Sequence, residues 1–331
     1  MALLPLIALV TSLNLPQAMD LPPEPPPGHP SPGEPMVLTE FEDNLWGWTT
    51  VLDGVMGGRS KGALRLLQGS LEFRGTLNTN GGGFASVRSG DRLTDLHAFQ
   101  GIRVRVRGDG RRYTLRLREA GARYGVTYRA DFPTRDAWNT KGGVAGPWET
   151  VWLPFDAFTP KWRGRQLELP PLDTSRVCGL GLTLADGVDG PFRIQWGQAA
   201  AYPRFELAQW QGSRRPLVLV APDLQAGEAL AWSKAFAAAR EGAAARDLAL
   251  VGVDHAGTSF AGSRPLTQEE TKGIRATLKV DDDQTLVAVL GKDGSVHPLG
   301  AGPPDIRALF ELVDRLPCRR AEVAKAEESG G

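Results

Sequence analysis

A chain of 331 residues with 41% hydrophobic residues buries a sizeable core and, at about 150 residues per domain, has room for two domains. Its 38 Lys and Arg balance 38 Asp and Glu, so no global field recruits nucleic acid or an anionic membrane. With 40 Gly, 25 Pro and 2 Cys (Cys178 and Cys318), the composition favours turn-rich β structure and excludes a disulfide framework and a cysteine-rich zinc site.

Residues 1–18 form an apolar stretch too short to span a bilayer and ending on a small residue, which reads as a signal peptide. Residues 19–35 are a proline-rich linker of extended, polyproline-like character. The pair predicts a periplasmic or secreted protein with no stable transmembrane segment once the signal is removed.

From 36 to 205 short strand signals recur with turn residues between them and no helical period. Two glycine clusters stand out, Asp53-Gly54-Val55-Met56-Gly57-Gly58-Arg59-Ser60 and Asn80-Gly81-Gly82-Gly83-Phe84. Glycine reaches positive φ at no steric cost, so both read as sharp strand connections packed together as one structural unit. The runs 102–107 and 113–118 alternate around Gly108-Asp109-Gly110 and predict a β-hairpin. Its inward face is Ile102, Val104, Val106, Tyr113, Leu115 and Leu117; Arg103, Arg105, Arg107, Arg116 and Arg118 lie outward, read as a solvated face, the alternative being a polyanion surface for phosphate or sulfate. So many short strands predict a sandwich of two sheets, a jelly roll.

The same stretch resembles a known family. Trp48-x-x-Val51-x-Asp53-Gly-Val-Met-Gly-Gly-Arg-Ser60, Phe73-x-Gly75, Asn80-x-Gly-Gly-Phe84-Ala-Ser-Val-Arg88, Gly108-Asp-Gly-Arg-x-Tyr113, Trp152-Leu-Pro-Phe155, Phe158-x-Pro160 and Arg163-Gly-Arg165 look like the domain of complex I intermediate-associated protein 30. The resemblance implies a galactose-binding-like jelly roll and, in mitochondrial members, a chaperone or assembly role for the respiratory NADH dehydrogenase; it implies no catalysis. Within the match, Gly54, Gly57, Gly58, Gly81, Gly82 and Gly83 are assigned to loop conformation. Asp53 and Asn80 are candidates to cap or bridge the loops. Arg59, Arg88, Arg163 and Arg165 are the candidate contacts for a ligand or partner, the alternative being ion pairs to Asp53 or Asp156. Trp46, Trp48, Trp138, Trp148, Trp152 and Trp162 supply either a sugar-stacking platform or packing. No catalytic constellation, metal-ligand spacing or cofactor loop is present: His97 is the only histidine here, and neither glycine loop opens a helix.

Residues 206–213 read as a linker, and from 214 to 320 the pattern becomes strand, helix, strand, helix, hairpin, helix. Pro216-Leu-Val-Leu-Val-Ala221 and Asp247-Leu-Ala-Leu-Val-Gly-Val253 are runs covered on both faces, and Thr267-x-x-Glu270 is a capping box. That order is thioredoxin-like. Arg246-Asp247, Gly291-Lys-Asp-Gly294 and Leu316-Pro-Cys-Arg-Arg320 resemble a thioredoxin-like domain of unknown function related to peroxiredoxins, with Leu316 and Cys318 standing where that family carries methionine. The stretch 221–228, where a redox enzyme of this fold places its thiol, has no cysteine. Residues 321–331 read as a disordered tail.

Taken together, the expectation is a non-enzymatic, chaperone-like binding or assembly protein of the cell envelope, holding an unidentified protein partner or carbohydrate and no nucleic acid. Three alternatives stand beside it: a carbohydrate-binding module, an assembly factor for NADH dehydrogenase, and a thiol enzyme using Cys318.

Overall fold

The structure, a computed structural model, describes residues 34–41, 47–122, 125–139, 145–299 and 302–330. The apolar N-terminal segment, the proline-rich spacer and Trp46 lie outside the described residues. The chain divides into two compact units that meet in sequence between Arg204 and Phe205.

Among the described residues the first unit is built of strands and short 3₁₀ turns: β1 Met36–Glu40, β2 Thr49–Leu52, β3 Lys61–Leu67, β4 Ser70–Leu77, β5 Ala85–Arg88, β6 Phe99–Arg107, β7 Arg112–Glu119, β8 Thr127–Pro133, β9 Glu149–Pro154, β10 Thr159–Trp162, β11 Arg165–Gln166, β12 Val177–Leu184 and β13 Gly190–Pro203. One sheet runs β3-β4-β13-β6-β9, with β1 added to β13; the other runs β11-β10-β8-β7-β12-β5-β2. Alternate residues of both sheets meet in one core around Trp196, Phe73, Phe132 and Tyr113, so the unit is a β-sandwich.

The runs expected to form a hairpin do not pair. β6 lies between β13 and β9 in one sheet, whereas β7 lies between β8 and β12 in the other. Ile102, Val104, Val106, Tyr113, Leu115 and Leu117 are each 0% exposed, but they line the core from opposite sheets. Period-two alternation fixes which face of a strand is buried and leaves its partner open. The link at 108–110 is therefore a crossing between sheets. Asp109 fastens it, accepting from Arg111 N (3.2 Å), the Tyr113 hydroxyl (3.1 Å) and Arg193 N (2.7 Å). Arg111 closes the same end: its guanidinium pairs with both oxygens of Asp186 and donates to the carbonyls of Val188, Gly190 and Pro191.

The second unit contains β14 Arg215–Val220, α1 Gly227–Ala238, α2 Arg240–Ala244, β15 Leu248–Val253, β16 Phe260–Ala261, β17 Arg264–Pro265, α3 Gln268–Leu278, β18 Leu286–Leu290, β19 Val296–Pro298, α4 Ile306–Arg315 and α5 Pro317–Gly330. Its sheet runs β17-β16-β15-β14-β18-β19, with β14 and β15 parallel and the remaining neighbours antiparallel. Every residue of β14 is buried. Leu217 and Leu219 pack with Trp232, Leu309 and Val313 on one side, and Val218 and Val220 with Leu266 and Ile274 on the other. Helices thus cover both faces, as an uninterrupted apolar strand requires. Thr267 and Glu270 form the capping box of α3.

Two boundaries differ from expectation. Residues 206–213 are not a linker: Leu207 to Trp210 form a 3₁₀ turn, and Phe205 and Leu207 enter the core of the second unit. Nor is the stretch after Arg320 a disordered tail, because α5 runs on to Gly330. The reason is an ionic lock. Arg215, 0% exposed, donates to Glu322 at 2.8 Å and to the Cys318 sulfur at 3.6 Å, and Lys292 reaches Glu322 at 2.8 Å. A polar segment with no apolar face is held by charge, which hydrophobic patterning does not register.

Burial works against the Glu322 charge, yet Arg215 and Lys292 hold the carboxyl down to about 2, below its ordinary 4.5. A depressed carboxyl contributes stability that is present above pH 4.5 and lost as pH falls toward 2. Glu322→Gln is expected to free α5 at neutral pH. Hydrogen-exchange mass spectrometry checks this: amides of α5 lose protection while β14 and β15 keep theirs, and unchanged protection in α5 refutes the lock.

Candidate functional site

The two glycine loops meet on one carboxylate. Asp53 begins a 3₁₀ turn directly after β2 and is 0% exposed. It accepts from Ser60 N (3.0 Å), the Ser60 hydroxyl (2.6 Å), Gly83 N (2.7 Å) and Phe84 N (3.4 Å). The Ser60 oxygen in turn accepts from Asn78 N at 3.1 Å. Gly58 and Gly82 are the close-approach glycines: an added Cβ comes within 2.2 Å and 2.6 Å of Asp53 side-chain atoms. Gly57, Gly81 and Gly83 hold positive φ at 85°, 78° and 116°, where a side chain is strained. Burial opposes the charge on Asp53; the hydrogen bonds from Ser60, Gly83 and Phe84 prevail and hold its carboxyl below the ordinary value. Asp53 is a fastener, and it pairs with no arginine among the described residues.

The other sequence candidates fall in three places. Asn80 and Arg59 are exposed at the loop tips, Asn80 N donating to the Asn78 side chain at 3.0 Å. Arg163 and Gly164 are the two central residues of the β10–β11 hairpin, with φ of 47° and 83°, a turn whose twist suits a two-residue connection. Arg165 opposes Trp162 across that hairpin, at the far edge of the seven-stranded sheet from β2 and β5. Arg88 stands apart from both groups.

Arg88 lies on the outer face of the seven-stranded sheet, in a straight line of directly opposed residues. Thr49 faces Arg88, Arg88 faces Gly181, Gly181 faces Arg116, Arg116 faces Arg129, and Arg129 faces Thr159. Three half-buried arginines therefore share one row across four strands. A polar floor lies beside them: Ser86, Thr127 and Thr183 are buried, with Arg88 Nε donating to the Ser86 hydroxyl (3.3 Å) and Arg129 Nε to that of Thr127 (3.0 Å). Burial, then repulsion from Arg88 and Arg129, pushes the Arg116 guanidinium down to about 9. Arg88 and Arg129 are lowered as well, each chiefly by burial. Sequence reasoning placed Arg116 outward but assigned it to a solvated face with Arg103, Arg105 and Arg107, which belong to the other sheet. Alternation along 126–132 was the only signal for Arg129, and register was needed to bring the three together.

The tryptophans are largely covered. Trp48 packs on Phe41 and Trp196, Trp138 lies under Arg193 (3.8 Å), Trp148 under Arg105 (4.8 Å) and Arg107 (4.6 Å), and Trp152 against Tyr202. Trp162 is 40% exposed, with Arg163 over its ring at 5.0 Å. Cys178 and Cys318 are free thiols, Cys318 forming part of the α5 lock.

Asp53→Ala strands three backbone N–H groups and is expected to destabilise the first unit by about 3 kcal/mol or more. Because the folded carboxyl titrates below 3.8, its contribution is present above that pH and lost as pH falls through the lowered value. Urea unfolding followed at neutral and acid pH checks both: the deficit of Asp53→Ala against the parent shrinks on acidification, and a deficit that stays constant contradicts the charged clamp.

Comparison with known proteins follows the division into units. Residues 39–195 match the family model described as complex I intermediate-associated protein 30, and residues 206–322 match one described only as a domain of unknown function. The chain is 31% identical over 102 residues to the mitochondrial complex I intermediate-associated protein 30 of Mus musculus, covering 30% of this chain and 30% of the relative. To the Drosophila melanogaster protein of that name it is 29% identical over 191 residues, covering 50% of this chain and 62% of the relative. The matched segments span less than two thirds of either relative. Among solved structures, a family 11 carbohydrate-binding module of a Clostridium thermocellum cellulosomal cellulase is 14% identical, covering 54% of this chain and 99% of that one, with a TM-score of 0.39. A family 29 module variant is 13% identical, covering 46% and 90%, with a TM-score of 0.27. The sandwich that carries Asp53 and the arginine row is thus the part of the chain that matches the complex I intermediate-associated protein 30 family.

Proposed function

We propose that this chain is a non-enzymatic binding and assembly protein of the cell envelope, chaperone-like in action, whose first domain holds a protein partner. The observation that carries the reading is the family match over 39–195, the segment folded as the sandwich. Its relatives are named for association with an intermediate of complex I, which makes subunits of a respiratory NADH dehydrogenase the first partners to test. The apolar N-terminal segment and the proline-rich spacer support the envelope.

The second domain we read as thioredoxin-like and redox-inactive. The order β15-β14-β18-β19, with β14 and β15 parallel and helices covering both faces, supports that assignment. No cysteine stands between β14 and α1 to serve as a redox thiol. A protein partner is favoured over a neutral glycan by the tryptophans. Sugar stacking needs an open ring face; Trp48, Trp138, Trp148 and Trp152 are partly buried against neighbouring rings or guanidinium groups, and the exposed Trp162 has Arg163 over its ring.

Cross-linking of a tagged full-length chain in cells, followed by fractionation and mass spectrometry, tests this. Recovery in the envelope fraction with cross-links to a defined protein, NADH dehydrogenase subunits first among the candidates, is expected. Recovery in the cytoplasm alone removes the envelope assignment, and an absence of cross-linked protein above the untagged control refutes the assembly role.

A further inference from the structure

Among the described residues, several enclosed arginines have a carboxylate: Arg111 pairs with Asp186, Arg215 with Glu322 and Arg264 with Glu270, while Arg275 is held by the backbone carbonyls of Ala221 and Asp281. Arg88, Arg116 and Arg129 have none within ion-pair distance among the described residues. Asp131, diagonal to the row, attracts Arg129 without pairing with it and is engaged by the Thr114 hydroxyl (2.6 Å) and Lys161 (3.6 Å), and Asp91 is engaged by Arg118. Nη1 of Arg116 is buried with no hydrogen-bond partner among the described residues. Three guanidinium groups are thus held together, partly desolvated, with donors unused. Such an arrangement costs folding stability and is relieved by an anion.

We propose that Arg88, Arg116 and Arg129 form a polycarboxylate site that holds an extended acidic segment of the partner protein; the inference rests on the protein-partner reading above. Spacing favours this occupant. Neighbouring strands lie about 4.8 Å apart, so the row from Arg88 to Arg129 spans about 14 Å. An extended chain rises about 3.4 Å per residue, so side chains at i, i+2 and i+4 share one face and cover the same length. The central carboxylate then needs a partner about 7 Å along. Arg116 is rooted two strands from Arg88, but its stem lies over Gly181, where an added Cβ meets Arg116 Cγ at 3.2 Å and Cδ at 3.3 Å. Its head is displaced toward Arg88 accordingly. Guanidinium forks match carboxylates bidentately, and the buried hydroxyl floor orients Arg88 and Arg129 beforehand by accepting from their Nε–H groups. A flat lipid surface suits the row less well, because these heads are half-buried and no outward residue of β5, β7, β8 or β12 in the rows flanking them is a large apolar side chain.

The test uses the full chain and a fluorescein-labelled heptapeptide of alternating glutamate and serine, followed by anisotropy, with the glutamine counterpart as control. Binding is expected to be specific to the glutamate peptide, weakened by salt, and reduced about tenfold or more in Arg116→Gln and Arg129→Gln, with Arg65→Gln, on the other sheet, unchanged. Because the row is self-repelling, Arg116→Gln is expected to melt no lower than the parent, which separates lost binding from lost folding. Equal peptide binding by parent and Arg116→Gln overturns the site. So does capture of the charged row by phosphatidylglycerol vesicles but not by the peptide. If the peptide fails while the cell-derived partner still cross-links to Arg116→Gln, the site falls and the assembly reading stands; if the peptide binds and no partner cross-links, the assembly reading falls.

Discussion

One buried carboxylate governs the first domain. Asp53 follows the last residue of β2, and two of its four hydrogen bonds come from Gly83 and Phe84, directly before β5. β2 and β5 are paired with Leu52 opposite Ala85, so the carboxylate closes the end of that ladder. A buried charge is tolerated when its lone pairs are filled, and here backbone N–H groups and one serine fill them. The glycines follow from the same geometry. Two backbones approach one carboxylate so closely that a Cβ at Gly58 or Gly82 collides with it.

That clamp reaches the sheet face. β5 is short, four residues, and its inward Ala85 and Val87 alternate with outward Ser86 and Arg88. A slip of one residue exchanges the two sets, burying Arg88 in the core and exposing Val87. Fixing the register at Leu52 and Ala85 is what aligns Arg88 with Gly181, and through Gly181 with Arg116 and Arg129. The glycine motif and the arginine row are therefore one construction, although only the first has an obvious signature in the chain.

How legible this was depends on range. Ile102, Val104, Val106, Tyr113, Leu115 and Leu117 were readable as buried because alternation is local, and the capping box of α3 because it spans three residues. The partners of β6 and β7 are not legible in the same way, because adjacency in sequence does not fix adjacency in a sheet. The short hairpin of β16 and β17 offers only two residues per strand and no period to detect. Helix α5 was missed for a different reason: its anchor, Glu322, meets Arg215 and Lys292 from distant strands and loops, and such pairs leave no local pattern. Of the site, Arg88 was found through its motif, while Arg116 and Arg129 needed strand order.

Arg215 and the arginine row house a guanidinium in opposite ways, and the contrast bears on function. Arg215 is wholly enclosed and its charge is answered by Glu322, which is itself shared with Lys292 and Arg319. A closed network of that kind has no capacity left and fixes a helix in place. The row on the seven-stranded sheet is half-buried and makes no ion pair among the described residues, Asp131 alone attracting Arg129 from outside pairing distance. Because the whole chain carries no net charge, this local excess produces little field at a distance, and within about 10 Å salt screens what remains. Recognition through such a row depends on contact and on matching the spacing of three guanidinium groups, which selects among acidic partners by geometry where long-range attraction cannot.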